Sequence, residues 1–144
     1  MQGKVILLVE DNRTDEELTT RALKNSGVPV SVKVARNGED ALALLLSAEA
    51  HTLPDLVLLD LKLMKGSGLH VLETLRAAPR TRTLPVVVLT SSTKHDDVTA
   101  AYRAGCNGYI SKGVDYRQFV EAAKTAVQYW LVHNVAPGEP EDVG

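Results

Sequence analysis

Leu56-Val57-Leu58-Leu59-Asp60 sets the reading of this chain: four apolar residues in a row, then a carboxylate. A strand with one wet face alternates apolar and polar residues. An unbroken run this short reads instead as a strand covered on both faces, the habit of parallel sheets. Working outward, four more runs share the character: Val5–Val9, Val30–Ala35, Val86–Thr90 and Gly108–Ser111. All five are expected to be buried on both faces. The last is the weakest, because Gly108 and Tyr109 make it short and mixed.

Between the runs lie segments with helical spacing, over 14–25, 39–48, 69–77, 96–104 and 116–131. Leu18, Ala22 and Leu23 share a face in the first, and Phe119, Ala123, Val127 and Trp130 in the last. Thr14 with Glu17 and Asp115 with Gln118 have capping-box spacing, and Asn37 suits the start of the second helix. Gly27, Pro79 and Gly105 mark helix ends. Strands alternating with helices predict an α/β fold with right-handed crossovers, and five strands suit a doubly wound parallel sheet in the order 2-1-3-4-5.

The chain has 144 residues, 44% hydrophobic and 24% charged, with a formal net charge of −2. That is one domain's worth of chain, read as residues 1–131, followed by a polar tail over 132–144. No Lys/Arg run provides a nucleic-acid footprint. No apolar run approaches the ~20 residues of a membrane span, and the N-terminus lacks a signal-peptide layout. With one cysteine, Cys106, no internal disulfide forms. A small core residue in a cytoplasmic protein is the expectation.

In a sheet of this order the working site lies beyond the carboxyl ends of the strands, at the switch point between the first and third. Glu10 and Asp11 end the first run, Asp60 the third, Thr90 and Ser91 the fourth, Ser111 and Lys112 the fifth. Singly, each has an ordinary structural reading: an acid after a strand is often a helix N-cap, and Lys112 alone is a surface lysine. Together they are harder to explain that way. Two carboxylates ~4 Å apart repel by about 4 kcal/mol at an effective dielectric near 20, and a cation resolves the conflict. Oxygen ligands favour Mg²⁺, with Mn²⁺ as the alternative, and no nearby His or Cys suggests zinc. A cation held by Asp11 and Asp60, with Glu10 assisting, leaves room for a phosphoryl oxygen. Lys112 adds a point charge and Thr90 a hydrogen bond. Asp60, ending the central strand, is then the nucleophile for an aspartyl phosphate.

At this point the sequence resembles the receiver domains of two-component response regulators. The pieces are VILLVEDN (5–12), DLVLLDLKL (55–63), VVLTSS (87–92) and GYISK (108–112), within a match over about residues 4–131. The resemblance implies a flavodoxin-like (βα)5 fold with Asp60 as phosphoacceptor, Glu10 and Asp11 as the acids organising Mg²⁺, and the backbone carbonyl of Lys62 as a further ligand. It makes Thr90 and Tyr109 the switch residues and Lys112 the charge partner of the phosphoryl group. The Lys62 amine, paired with the phosphoryl group or with Glu10, would slow hydrolysis, and Ser92 flanks the acceptor as a second position tuning its lifetime. Two positions depart from the family: Gly113 replaces the proline after the lysine, which puts a cis bond there in doubt, and Met64 replaces another proline. The loop from Lys65 to Gly68 is expected to be pliable.

The implied function is a single-domain response regulator that takes a phosphoryl group from a sensor histidine kinase and signals by protein contact. It would catalyse only its own phosphorylation and dephosphorylation. The alternatives are a phosphate sink for a kinase and, in another class, a flavodoxin-like FMN electron carrier. The latter is opposed by three acids in the first loop. The acceptor region and the Tyr129-Trp130-Leu131 ending are similar to receivers paired with phytochrome-type kinases. A homodimer is expected through the face formed by the fourth helix, fifth strand and fifth helix, near Tyr102, Tyr109 and Trp130.

Overall fold

In a computed structural model, which describes residues 3–47, 53–63, 67–113 and 115–137, five strands form one sheet. They are β1 (Lys4–Val9), β2 (Val30–Ala35), β3 (Leu56–Leu59), β4 (Val86–Thr90) and β5 (Gly108–Ser111), in the order β2-β1-β3-β4-β5, every pair parallel. The crossovers carry α1 (Arg13–Lys24), α2 (Gly38–Ser47), α3 (Gly68–Ala77), α4 (His95–Ala104) and α5 (Tyr116–Gln128).

The unbroken apolar runs exist because both faces are covered. Leu7, Val9, Val57, Leu59, Val86 and Val88 face a core built with Ala41 and Leu45 of α2, Val71, Leu72 and Leu75 of α3, and Ala101 of α4. Ile6, Leu8, Leu56, Leu58, Val87 and Leu89 face a second core with Ala22 and Leu23 of α1 and Phe119, Ala123 and Val127 of α5. Each such Leu or Val contributes about 1.5–3 kcal/mol by its burial, so β1, β3 and β4 anchor the molecule. Cys106 is buried beside the first core, as expected, and burial pushes its thiol pKa up.

Four details differ from the sequence reading. β2 is not doubly buried: Ser31 and Lys33 are exposed between half-buried valines. It is an edge strand, and its sequence, VSVKVA, does alternate. β5, the other edge, is half-buried throughout. The cap of α1 is Asn12, whose side chain accepts from the Asp15 amide at 2.9 Å, while Thr14 lies inside the helix. The last helix stops as an α-helix at Gln128 and continues as a π-helical turn, Tyr129–His133, closed by the Asn134 amide donating to the Tyr129 carbonyl. Asn37 accepts from Asp40 and Gly105 adopts a left-handed φ of 109° after α4, as expected, while Asp115 caps α5 through the Arg117 amide, one residue short of the capping-box position at Gln118.

Candidate phosphoacceptor and metal site

Asp60 follows β3 directly and is held there from both sides. Its amide donates to the Val9 carbonyl at 3.1 Å, and its Oδ1 accepts from the Lys62 amide at 3.0 Å. Glu10 extends β1 in the same manner, with its amide on the Ala35 carbonyl at 3.0 Å. The switch between β1 and β3 therefore presents two buried carboxylates side by side, Glu10 at 1% exposure and Asp60 at 6%. Asp11 completes the set: one ligand oxygen from each of Glu10, Asp11 and Asp60 lies within 4.8 Å of the others.

Lys112 is brought to this cluster by β5, its amide donating to the Thr90 carbonyl at 2.8 Å. Its Nζ donates to Glu10 Oε1 at 2.8 Å, Asp15 Oδ2 at 2.9 Å and Asp60 Oδ2 at 3.2 Å. Burial alone would lower the lysine pKa. The bonds to Glu10 and Asp15 and the charge of Asp60 outweigh it and hold the ammonium above its usual range. Burial pushes the Glu10 carboxyl up to about 7; Lys112 pulls against that shift and Asp60 adds to it. One ammonium among this many carboxylates leaves negative charge uncompensated. An all-oxygen donor set with such an excess fits a hard divalent cation.

The structure thus brings Glu10, Asp11, Asp60 and Lys112 together. Thr90, fully buried at the end of β4, and Tyr109 on β5 meet instead at the next loop. Thr90 Oγ1 accepts from the Ser92 amide at 3.4 Å, and the Tyr109 hydroxyl donates to the Ser92 carbonyl at 2.8 Å. Ser92 Oγ in turn donates to Asp97 on α4 and accepts from the Lys94 amide at 3.3 Å. Of the two partners expected for the Lys62 amine, the phosphoryl group and Glu10, it does not take Glu10 here. Glu10 takes Lys112 and the Asn12 amide, and Lys62 is exposed. No cis peptide bond occurs among the described residues, so Lys112–Gly113 is trans. Met64, Lys65 and Gly66 lie outside the described residues. Ser67 and Gly68 are ordered into the cap and first turn of α3.

Two contributors were missed by the sequence reading. Asp15 gave no signal beyond its place in the first turn of α1. Gly68 read only as part of a loop, but a Cβ there would stand 2.5 Å from the Asp60 carbonyl oxygen and 2.6 Å from Leu61 Cα, so only glycine lets α3 approach the backbone of Asp60 and Leu61.

Residues 6–124 match the response regulator receiver domain family. The chain belongs to that family. Among its relatives, the probable methanogenesis regulatory protein FilR2 of Methanothrix harundinacea is 38% identical over 136 residues, covering 93% of this chain and 88% of FilR2. Response regulator Rcp1 of Synechocystis is 37% identical over 131 residues, covering 89% of each chain. The Mn²⁺-bound crystal structure of Rcp1 superposes with a TM-score of 0.83 at 35% identity, over 94% of this chain and 99% of that one. The phosphorylated cyanobacterial phytochrome response regulator RcpA superposes at 0.86 with 37% identity, over 95% of this receiver and all of RcpA.

Proposed function

We propose that this receiver accepts a phosphoryl group on Asp60 from a sensor histidine kinase, with Mg²⁺ bound by Glu10, Asp11 and Asp60 and assisted by the Lys62 carbonyl. The observation that carries this reading is the convergence of three carboxylates and the Lys112 ammonium at the β1/β3 switch point. An oxygen of Asp60 forms the bond to phosphorus while the bond from phosphorus to the donor's histidine nitrogen breaks. Bound Mg²⁺ supplies charge neutralisation for the transferring group. Lys112 supplies the second positive charge, and the Thr90 hydroxyl, at the end of the adjacent strand, is the group that moves to the phosphoryl oxygens. Tyr109 reports that movement through Ser92 to α4. Catalysis is limited to the protein's own phosphorylation and dephosphorylation.

The sensor kinase is read as phytochrome-type, on the similarity to RcpA, which is a phytochrome response regulator. Output runs through protein contact, including a homodimer on the α4/β5/α5 face, and involves no nucleic acid. The deciding experiment is Mg²⁺-dependent labelling by acetyl phosphate, read by intact mass, of wild type against Asp60→Asn. Label on wild type alone supports the reading. Equal label on both overturns it.

A further inference from the structure

The Lys112 ammonium has three donors, and all three are spent on carboxylates. Two of those acids, Glu10 and Asp60, belong to the metal cluster. The third, Asp15, does not: it sits in the first turn of α1, and its side chain is 39% exposed, against 1% for Glu10 and 9% for Asp60. Four residues further along the same helix, Thr19 is 1% exposed. Its Oγ1 is the one buried side-chain polar atom without a hydrogen-bond partner among the described residues. Residues four apart share a helix face, and side chains lean toward the helix N-terminus, so Thr19 leans toward Asp15. Both line one cleft of about 280 Å³ between α1 and α5, which also takes in Lys112, Gly113 and Tyr116.

We propose that Asp15 is a positioning residue for phosphoryl acceptance: it holds Lys112 in the unphosphorylated protein and yields it to the phosphoryl group, its carboxylate passing to the Thr19 hydroxyl. The inference rests on Asp60 being the acceptor. A phosphoryl group brings several acceptor oxygens to a lysine that has no donor to spare. Glu10 and Asp60 are fixed at the site, one as a buried member of the metal cluster and the other as the acceptor itself, so neither carboxylate swings away. Asp15 is the partner that can leave, because water and the cleft receive it. Its charge acts in the same direction, opposing an arriving dianion and cancelling part of the lysine that attracts it. The unpartnered Thr19 hydroxyl, destabilising where it stands, then has a use in the second position.

The experiment measures the rate of phosphoryl incorporation from acetyl phosphate, at saturating Mg²⁺, in the full chain. Asp15→Ala and Asp15→Asn are expected to accelerate it about two- to fivefold, the scale of removing a partly exposed ion pair from the competition. Asp15→Glu should return the rate to near wild type. Thr19→Val should slow the wild type about twofold or more, yet leave Asp15→Ala unchanged, since the carboxylate it serves is gone. Equal or slower labelling of both Asp15→Ala and Asp15→Asn, with wild type labelling normally, overturns the proposal. So does equal slowing by Thr19→Val in both backgrounds. Loss of the difference between wild type and Asp60→Asn is a separate result, and it removes the acceptor reading instead.

Discussion

Glu10 shows what burial does to the protonation of a strand-end acid. Its folded pKa, about 7, lies above the ordinary 4.5 because burial penalises the charge. A carboxyl whose folded value is raised binds its proton more tightly in the folded state. The stability it contributes is therefore complete below about 4.5 and is lost as pH rises through about 7. In chelator-treated protein, the urea midpoint of wild type should fall between pH 5 and 8 more steeply than that of Glu10→Gln, and added Mg²⁺ should restore the wild type at pH 8. Parallel slopes for the two proteins would remove Glu10 as the origin. Gly68 supports the site from behind. Because a Cβ there would press on the Asp60 and Leu61 backbone, which has no rotamer to yield, Gly68→Ala should cost about 1–3 kcal/mol by denaturant titration. A midpoint within error of wild type would mean that α3 moves freely from the Asp60 backbone. Neither effect was visible in the chain alone: the sequence marks Glu10 as a candidate metal-site acid but not the depth of its burial, and Gly68 reads as a loop residue.

Among the elements, the helix–loop junctions at the far end of the sheet depend on one side chain. Arg76, in the last turn of α3, donates to the carbonyls of Gly105 at 2.8 Å, Arg82 at 3.0 Å, Leu84 at 2.8 Å and Thr81 at 3.2 Å. It also donates to Asn107 Oδ1 at 2.8 Å, and that same oxygen accepts from the Val86 amide at 2.8 Å. The guanidinium thus joins the end of α3, the start of β4 and the turn after α4. Its planar fork serves several acceptors at once, which a lysine ammonium does not reproduce. Arg76→Lys is expected to lose about 2–4 kcal/mol, nearly as much as Arg76→Met, because the carbonyls left behind are partly buried. A lysine variant as stable as wild type would contradict this. Periodicity located the elements well where packing covers both faces, as at β1, β3 and β4. It misjudged β2, where Lys33 marks the wet face of an edge. The π-helical turn at Tyr129 escaped notice because α and π turns place apolar residues alike over so short a stretch. Arg76 reads as a surface charge until the chain around it is folded.

In the molecule as a whole, the sheet order was legible, and with it the convergence of Glu10, Asp11 and Asp60 at the β1/β3 switch point, because both follow from strand count and crossover handedness, which burial enforces. What the folded chain meets is less legible, since an exposed aromatic side chain looks the same in sequence whether water or a partner covers it. The α4/β5/α5 face now offers more to argue from. Tyr102 on α4 is 51% exposed and Tyr129 48%, the latter edge-on to Trp130 with ring centroids 5.0 Å apart. Beside them a groove of about 450 Å³ runs between β5 and α5, walled by Val87, Gly108, Ile110, Ala122, Ala126 and Trp130. β5 is moreover an edge of the sheet, with unpaired backbone on its outer side. Aromatic side chains rimming an apolar groove are the composition of an interface centre, so self-association should depend on them. Sedimentation equilibrium of the wild type at about 100 µM, well above the micromolar range of weak interfaces, is expected to give a dimer mass. Tyr129→Lys, which sets an ammonium at the groove, should give a monomer without changing the unfolding midpoint. The same comparison with beryllofluoride and Mg²⁺ asks whether the acceptor site and this face are coupled through Tyr109 and Ser92: coupling should tighten the dimer in wild type and fail to do so in Tyr109→Phe, which lacks the hydroxyl held by the Ser92 carbonyl. A monomer mass for the wild type in both states would refute the dimer. Equal tightening in Tyr109→Phe would leave the dimer standing and remove the tyrosine as its link to Asp60.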